Sequence, residues 1–227
     1  MTHPFLAATM VRRLRRVARP ASAGLLALAL AATATLAQGL SAAPVMAPLD
    51  RLMEPGPLPD IVQGSPSAPV TIIEYASLTC SHCAAFHEET WPGLKARYVD
   101  TGKVRFILRE FPLDPLAAAA FMLARCLGSD RRDALVDELF AQQKTWAFVA
   151  EPVEPLRALV KLAGMSQTDF QTCLENRELY DRVNKSRDRA AAAFDIESTP
   201  TFFINGRKLA GELALADFDK VLAPLLK

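Results

Sequence analysis

The feature that most constrains this chain is a change of residue period at Cys80. Val70 to Tyr75 (Val-Thr-Ile-Ile-Glu-Tyr) is a short apolar, β-branched run of strand type. After Cys80 the pattern turns helical: Phe86, Thr90, Leu94 and Tyr98 fall near one face, with Pro92 at a kink. Val104 to Leu108 is strand-like again, which makes a β-α-β unit, and Asp60-Ile61-Val62 reads as a shorter strand ahead of it. From about 114 to 194 the chain is helical almost throughout. Asp114 and Pro115 open a helix that Gly128 closes; Ala134 to Trp146 is a second; Pro155 to Ala163, ended by Gly164, is a third. Ser166 caps a fourth, with Asp169 three residues on, and a charged helix runs from about Asn176 to Ala193. Thr201 to Ile204 returns to strand. Asn205-Gly206 is a hairpin turn, because both of its positions need positive φ, and Arg207 to Ala210 is the partner strand. Leu215, Phe218, Leu222 and Leu225 form the apolar face of a terminal helix. The order β-α-β, helical block, β-β-α predicts an α/β fold with an inserted all-helical subdomain.

The chemistry sits at the period change. In Cys80-Ser81-His82-Cys83 the first cysteine lies at a helix N-terminus, where free N–H groups and the positive end of the dipole face its sulfur. The thiolate is the nucleophile in disulfide exchange, so such a site must stabilise a thiolate. His82 adds positive charge when protonated. Cys83, one turn in, is more sheltered, which makes Cys80 the attacking thiol and Cys83 the resolving one. A zinc site of Cys80, Cys83 and His87 lacks an obvious fourth ligand, the other histidines being His3 and His82. A purely structural bridge between the two cysteines would close too short a loop to be a useful staple. No metal or cofactor is therefore expected, and His87 reads as a surface residue of its helix. Trp91, Trp146, Phe148 and Phe170 read as core, and the basic run from Arg177 to Arg189, interleaved with Asp181 and Asp188, as a solvated helix face.

The N-terminus is built differently. Five arginines (Arg12, Arg13, Arg15, Arg16, Arg19) precede an uncharged apolar stretch from Ala21 to Ala37, and no Asp or Glu occurs before Asp50. That order predicts a secretory signal peptide over residues 1–37, with a retained membrane anchor as the alternative. Residues 38–57, rich in Pro, Ala and Gly, read as a flexible leader, and 58–227 as the folded domain. Without the signal, 26 − 5 = 21 basic residues face 25 acidic ones, a balance that gives no sign of nucleic-acid binding. Export places the domain where disulfides persist. All four cysteines, Cys80, Cys83, Cys126 and Cys173, lie beyond the signal, and two pairs are the simplest account. Cys126 and Cys173 are expected to form a structural bridge, the alternatives being two free buried thiols or a second redox relay.

The run Glu74-Tyr75-Ala76-Ser77-Leu78-Thr79-Cys80-Ser81-His82-Cys83, followed downstream by Ser198-Thr199-Pro200-Thr201-Phe202-Phe203-Ile204-Asn205-Gly206, resembles the DsbA family of bacterial periplasmic thiol–disulfide oxidoreductases. The resemblance extends from about Pro59 to the end. It implies a thioredoxin fold with a helical insertion, the redox pair Cys80 and Cys83, and a cis-proline at Pro200 beside them. It also implies that the backbone of Thr199 faces an incoming chain as an added strand. Glu74 matches a buried acid beneath the active site that exchanges protons with Cys83; on the residues alone it could equally be exposed. Ser81 and Thr199 depart from the best-known members, which carry Pro and Val there, and both positions bear on redox poise. Some family members, particularly among alphaproteobacteria, share the Cys126 and Cys173 pair. The implied activity is donation of the Cys80–Cys83 disulfide to newly exported proteins by a periplasmic monomer, reoxidised by a membrane quinone-linked partner. An isomerase or reductase using the same pair, or a non-redox peptide-binding chaperone module, are the alternatives.

Overall fold

The computed structural model describes residues 45–227. The predicted signal peptide and the first part of the leader lie outside the described residues. Strands β1 (Ile61–Gln63), β2 (Val70–Ala76), β3 (Val104–Glu110), β4 (Thr201–Ile204) and β5 (Arg207–Ala210) form one sheet in the order β1-β3-β2-β4-β5. β2 and β3 are parallel, and the other neighbours are antiparallel. β2 and β3 are joined by a continuous helical run: α2 (Ser81–Ala85), a π-type turn over Phe86–Thr90, α3 (Trp91–Leu94) and a second π-type turn over Lys95–Val99. Pro92 lies between the two widened turns. It has no N–H to give, and a widened ladder is the usual accommodation. The helical block comprises α4 (Pro115–Cys126), α5 (Ser129–Ala141), α6 (Gln143–Trp146), α7 (Val153–Leu162), α8 (Gln167–Glu175) and α9 (Arg177–Phe194), and α10 (Leu215–Leu222) closes the domain.

The sheet is buried on both faces, so its strands carry apolar residues at successive positions. Ile72, Phe106, Phe202 and Ile204 pack with Phe86, Leu94 and the helical block on one side. Ile73, Ile107 and Phe203, one residue out of step, pack with Leu52 and Phe194 on the other. Glu74 shares the period-2 face of Ile72 and therefore points under the cysteine helix rather than to solvent.

Most local signals hold. Asn205 and Gly206 both adopt positive φ. Asp114, Ser166 and Asn176 accept backbone N–H bonds from Ala117, Asp169 and Leu179 as caps of α4, α8 and α9. The second predicted helix is two, α5 and α6, broken at Gln142, and α5 starts earlier, at Ser129. Phe148 and Leu225, expected inside, are exposed.

The described part of the leader is docked, not free. Short helix α1 (Leu49–Met53) buries Leu52 fully in the second core. The Ala47 N–H donates to Gly206 O at 2.8 Å, and Val45 O accepts from Lys208 N–H at 2.8 Å, so this stretch pairs with β5. Arg109, buried on β3, donates to Leu52 O at 2.7 Å and grips Asp60 with two nitrogens. The basic helix α9 contributes as well: Arg182 donates to Pro57 O and Arg189 to Pro55 O, so part of its face clamps the leader instead of meeting solvent. A composition rich in Pro and Ala concealed this, because the holding groups are backbone carbonyls that no residue pattern announces.

Candidate active site

Cys80 is the N-cap of the helix that begins at Ser81, in extended conformation (φ −87°, ψ 119°). Its Sγ lies 3.2 Å from Thr199 O, across the cis Thr199–Pro200 peptide bond. Both cysteines are free thiols. They have opposite acidities. Cys80 is lowered to about 5, first by the hydrogen bond from the Cys83 thiol; burial opposes this, and Thr199 and the backbone N–H groups of Cys83 and His82 add to it. The Thr199 hydroxyl has no other partner and is free to donate to the sulfur. Cys83 is raised well above the ordinary thiol value, first by burial and then by the charges of Cys80 and Glu74 nearby.

His82 is placed differently from expectation. Its backbone N–H serves Cys80, while its exposed ring meets Glu212 Oε2 at 3.1 Å. Glu212 follows Gly211, whose N–H donates to Pro200 O at 2.9 Å, so this carboxylate belongs to the loop that holds the cis-proline.

Glu74 is fully buried, and its Oε2 lies 2.9 Å from Nε2 of His87. His87 is therefore a buried partner of the acid, not the surface residue its sequence predicts. Burial alone would depress its pKa, but the charge of Glu74, assisted by Asp137, outweighs that and raises it to about 9. The signal for the pair was in the chain: His87 is four residues after Cys83 and so shares its helix face.

Two further residues went unrecognised. Gln143, at the start of α6, is buried and donates its side-chain amide to Leu78 O at 2.8 Å and to Cys80 O at 2.9 Å. Asp114 caps α4 and also accepts from the Thr79 hydroxyl at 2.6 Å. Through these two side chains the helical block holds the turn that presents Cys80. Gln143→Leu should destabilise the fold by roughly 1–3 kcal/mol, the cost of leaving buried carbonyls short of a donor, in denaturant unfolding of purified protein. Cys126 of α4 and Cys173 of α8 form a disulfide, with Cα atoms 6.1 Å apart.

The family model described as thioredoxin matches residues 58–223. Among solved structures, alpha-DsbA1 of Wolbachia pipientis superposes with a TM-score of 0.72 at 31% identity, covering 78% of this chain and 95% of that one. BdbD of Bacillus subtilis superposes at 0.66, at 19% identity, over 74% of this chain and 92% of that one, which speaks to the fold alone. A Rickettsia conorii protein named "Putative protein-disulfide oxidoreductase" is 34% identical over 148 residues, 65% of this chain and 53% of that protein. The chain thus spans about half the length of the curated relatives it matches best among these.

Proposed function

The chain belongs to the DsbA-like proteins of the thioredoxin family, and from that premise we propose that it is a thiol–disulfide oxidoreductase that donates its Cys80–Cys83 disulfide to reduced proteins. The observation that carries this reading is the opposite acidity of the two thiols, with Cys80 at about 5 and Cys83 raised. A thiolate stabilised in the folded reduced form makes the disulfide the less stable state, hence an oxidant. Cys80 is also the better leaving group when a substrate's second thiolate attacks the mixed disulfide.

The Thr199 carbonyl beside Cys80 is the backbone acceptor to which an extended substrate chain would pair. In this reading the mature chain acts in the periplasm as a monomer and is reoxidised by a membrane quinone-linked partner, as the resemblance implies. Among the described residues no helix is long and apolar enough to cross a membrane.

The test gives the oxidised protein to a reduced, unfolded substrate and, separately, the reduced protein to a scrambled one. Fast disulfide transfer to the first with little rescue of the second is the expected outcome. The reverse pattern would make the protein an isomerase that uses the same cysteines.

A further inference from the structure

Glu74 is sealed from solvent, and its charge acts on Cys83 nearby; if it exchanges protons with that thiol, as the family resemblance implies, it must itself be recharged. A continuous line of ionisable groups leaves it. Glu74 Oε2 on β2 meets His87 Nε2 at 2.9 Å, and His87 Nδ1 faces Asp137 Oδ1 of α5 at 3.8 Å. The Asp137 side chain is 50% exposed, whereas those of His87 and Glu74 are 4% and 0% exposed. Glu74 and Asp137 are the ionisable groups that act on the His87 ring, and aromatic rings flank it, with Phe140 stacked at 4.1 Å and Phe86 edge-on at 5.1 Å. Neither Glu74 Oε1 nor His87 Nδ1 is tied up by a hydrogen bond. An imidazole can take a proton on one nitrogen while releasing one from the other, a property that a lysine or arginine in its place would lack.

We propose that His87 and Asp137 carry protons between solvent and Glu74, so that Cys83 is protonated and deprotonated through α5 rather than through the substrate face. Both act through Glu74 and are positioning residues for its proton. The inference rests on the disulfide-exchange reading.

When a substrate thiolate attacks Cys80 Sγ, the Cys80–Cys83 bond breaks and Cys83 leaves with the electron pair. The step runs through the neutral ring, with Nδ1 unprotonated and without a hydrogen-bond partner: His87 takes a proton at Nδ1 from solvent by way of Asp137 as it passes its Nε2 proton to Glu74, and Glu74 passes one to Cys83. One solvent proton is consumed. On reoxidation the same proton travels outward before Cys83 attacks the mixed disulfide. The raised pKa of Cys83 makes this transfer necessary in both directions.

Glutathione disulfide serves as the probe. The thiolate of Cys80 attacks it, expels one glutathione thiolate and forms a mixed disulfide. Cys83 then gives up its proton, attacks Cys80 Sγ and expels the second. Acid quenching and mass spectrometry time the two steps. Asp137→Asn, a change at a half-exposed position, should leave the first step unaltered and slow the second about tenfold or more at neutral pH, a modest share of what general acid–base catalysis supplies. Asp137→Glu should restore it, and His87→Gln should slow the second step further. A second step indifferent to Asp137→Asn, or equal slowing of both steps, would overturn the relay alone. Failure of the unmodified protein to attack glutathione disulfide at all would overturn the disulfide-exchange reading and the relay with it.

Discussion

Titration of the reduced protein should show one thiolate forming at about pH 5, assigned to Cys80 by its disappearance in Cys80→Ser, while Cys83 stays protonated at neutral pH. The folded value lies below the ordinary thiol value of about 8.5, so the thiolate contributes stability to the reduced fold. That contribution is full above the unfolded value, amounts to roughly 2–3 kcal/mol at pH 7, and is lost as pH falls through the folded value. The oxidised protein has no thiolate and gains none of it. Denaturant unfolding should therefore find the reduced form favoured over the oxidised form at pH 7, with the advantage shrinking toward pH 4. Cys80→Ser should abolish disulfide exchange outright. His82→Ala should leave most of the acidity in place, because the donor that His82 supplies to the sulfur is its backbone N–H and its ring is turned to Glu212. An ordinary thiol pKa at Cys80 would sink the mechanism.

The second large effect concerns stability. The Cys126–Cys173 bridge spans a sequence separation of 47 and ties α4 to α8 within the helical block. Constraint of the unfolded chain by a loop of that size is worth about 4 kcal/mol in the chain-entropy model. For a domain of this size that corresponds to a fall in melting temperature of roughly 10 °C in the double Cys126→Ala, Cys173→Ala variant. Exchange by Cys80 should survive. Loss of exchange at unchanged melting temperature would instead make this pair a second redox relay.

What could be read from the chain depended on whether the signal was local. The cysteine turn, the Asn205-Gly206 hairpin and the caps at Asp114 and Ser166 are short-range features, and each sits where its neighbours in sequence require. Glu74 is ambiguous in the sequence because a strand's alternation gives two faces without saying that both are covered; the core that packs Phe86, Leu94 and the distant Phe140 over the Ile72 face decides it. His87 follows the same logic: its helix face is legible, but the acid opposite it comes from strand β2. Gln143 carries no motif at all. Its role exists only because α6 brings it against the carbonyls of Leu78 and Cys80. Phe148 shows the converse error, an aromatic assigned inside by type that nothing folds over.

The docked leader also changes where the domain can be cut. The family model begins at residue 58, and a boundary taken from it would remove Val45–Ala47 from beside β5 and Leu52 from the second core. β5 would then present an uncovered sheet edge of unpaired N–H and C=O groups, the arrangement that invites strand-to-strand aggregation between copies. Residues 45–53 thus work as an edge guard for β5 and a plug for the second core, and a recombinant form that begins upstream of Val45 keeps them.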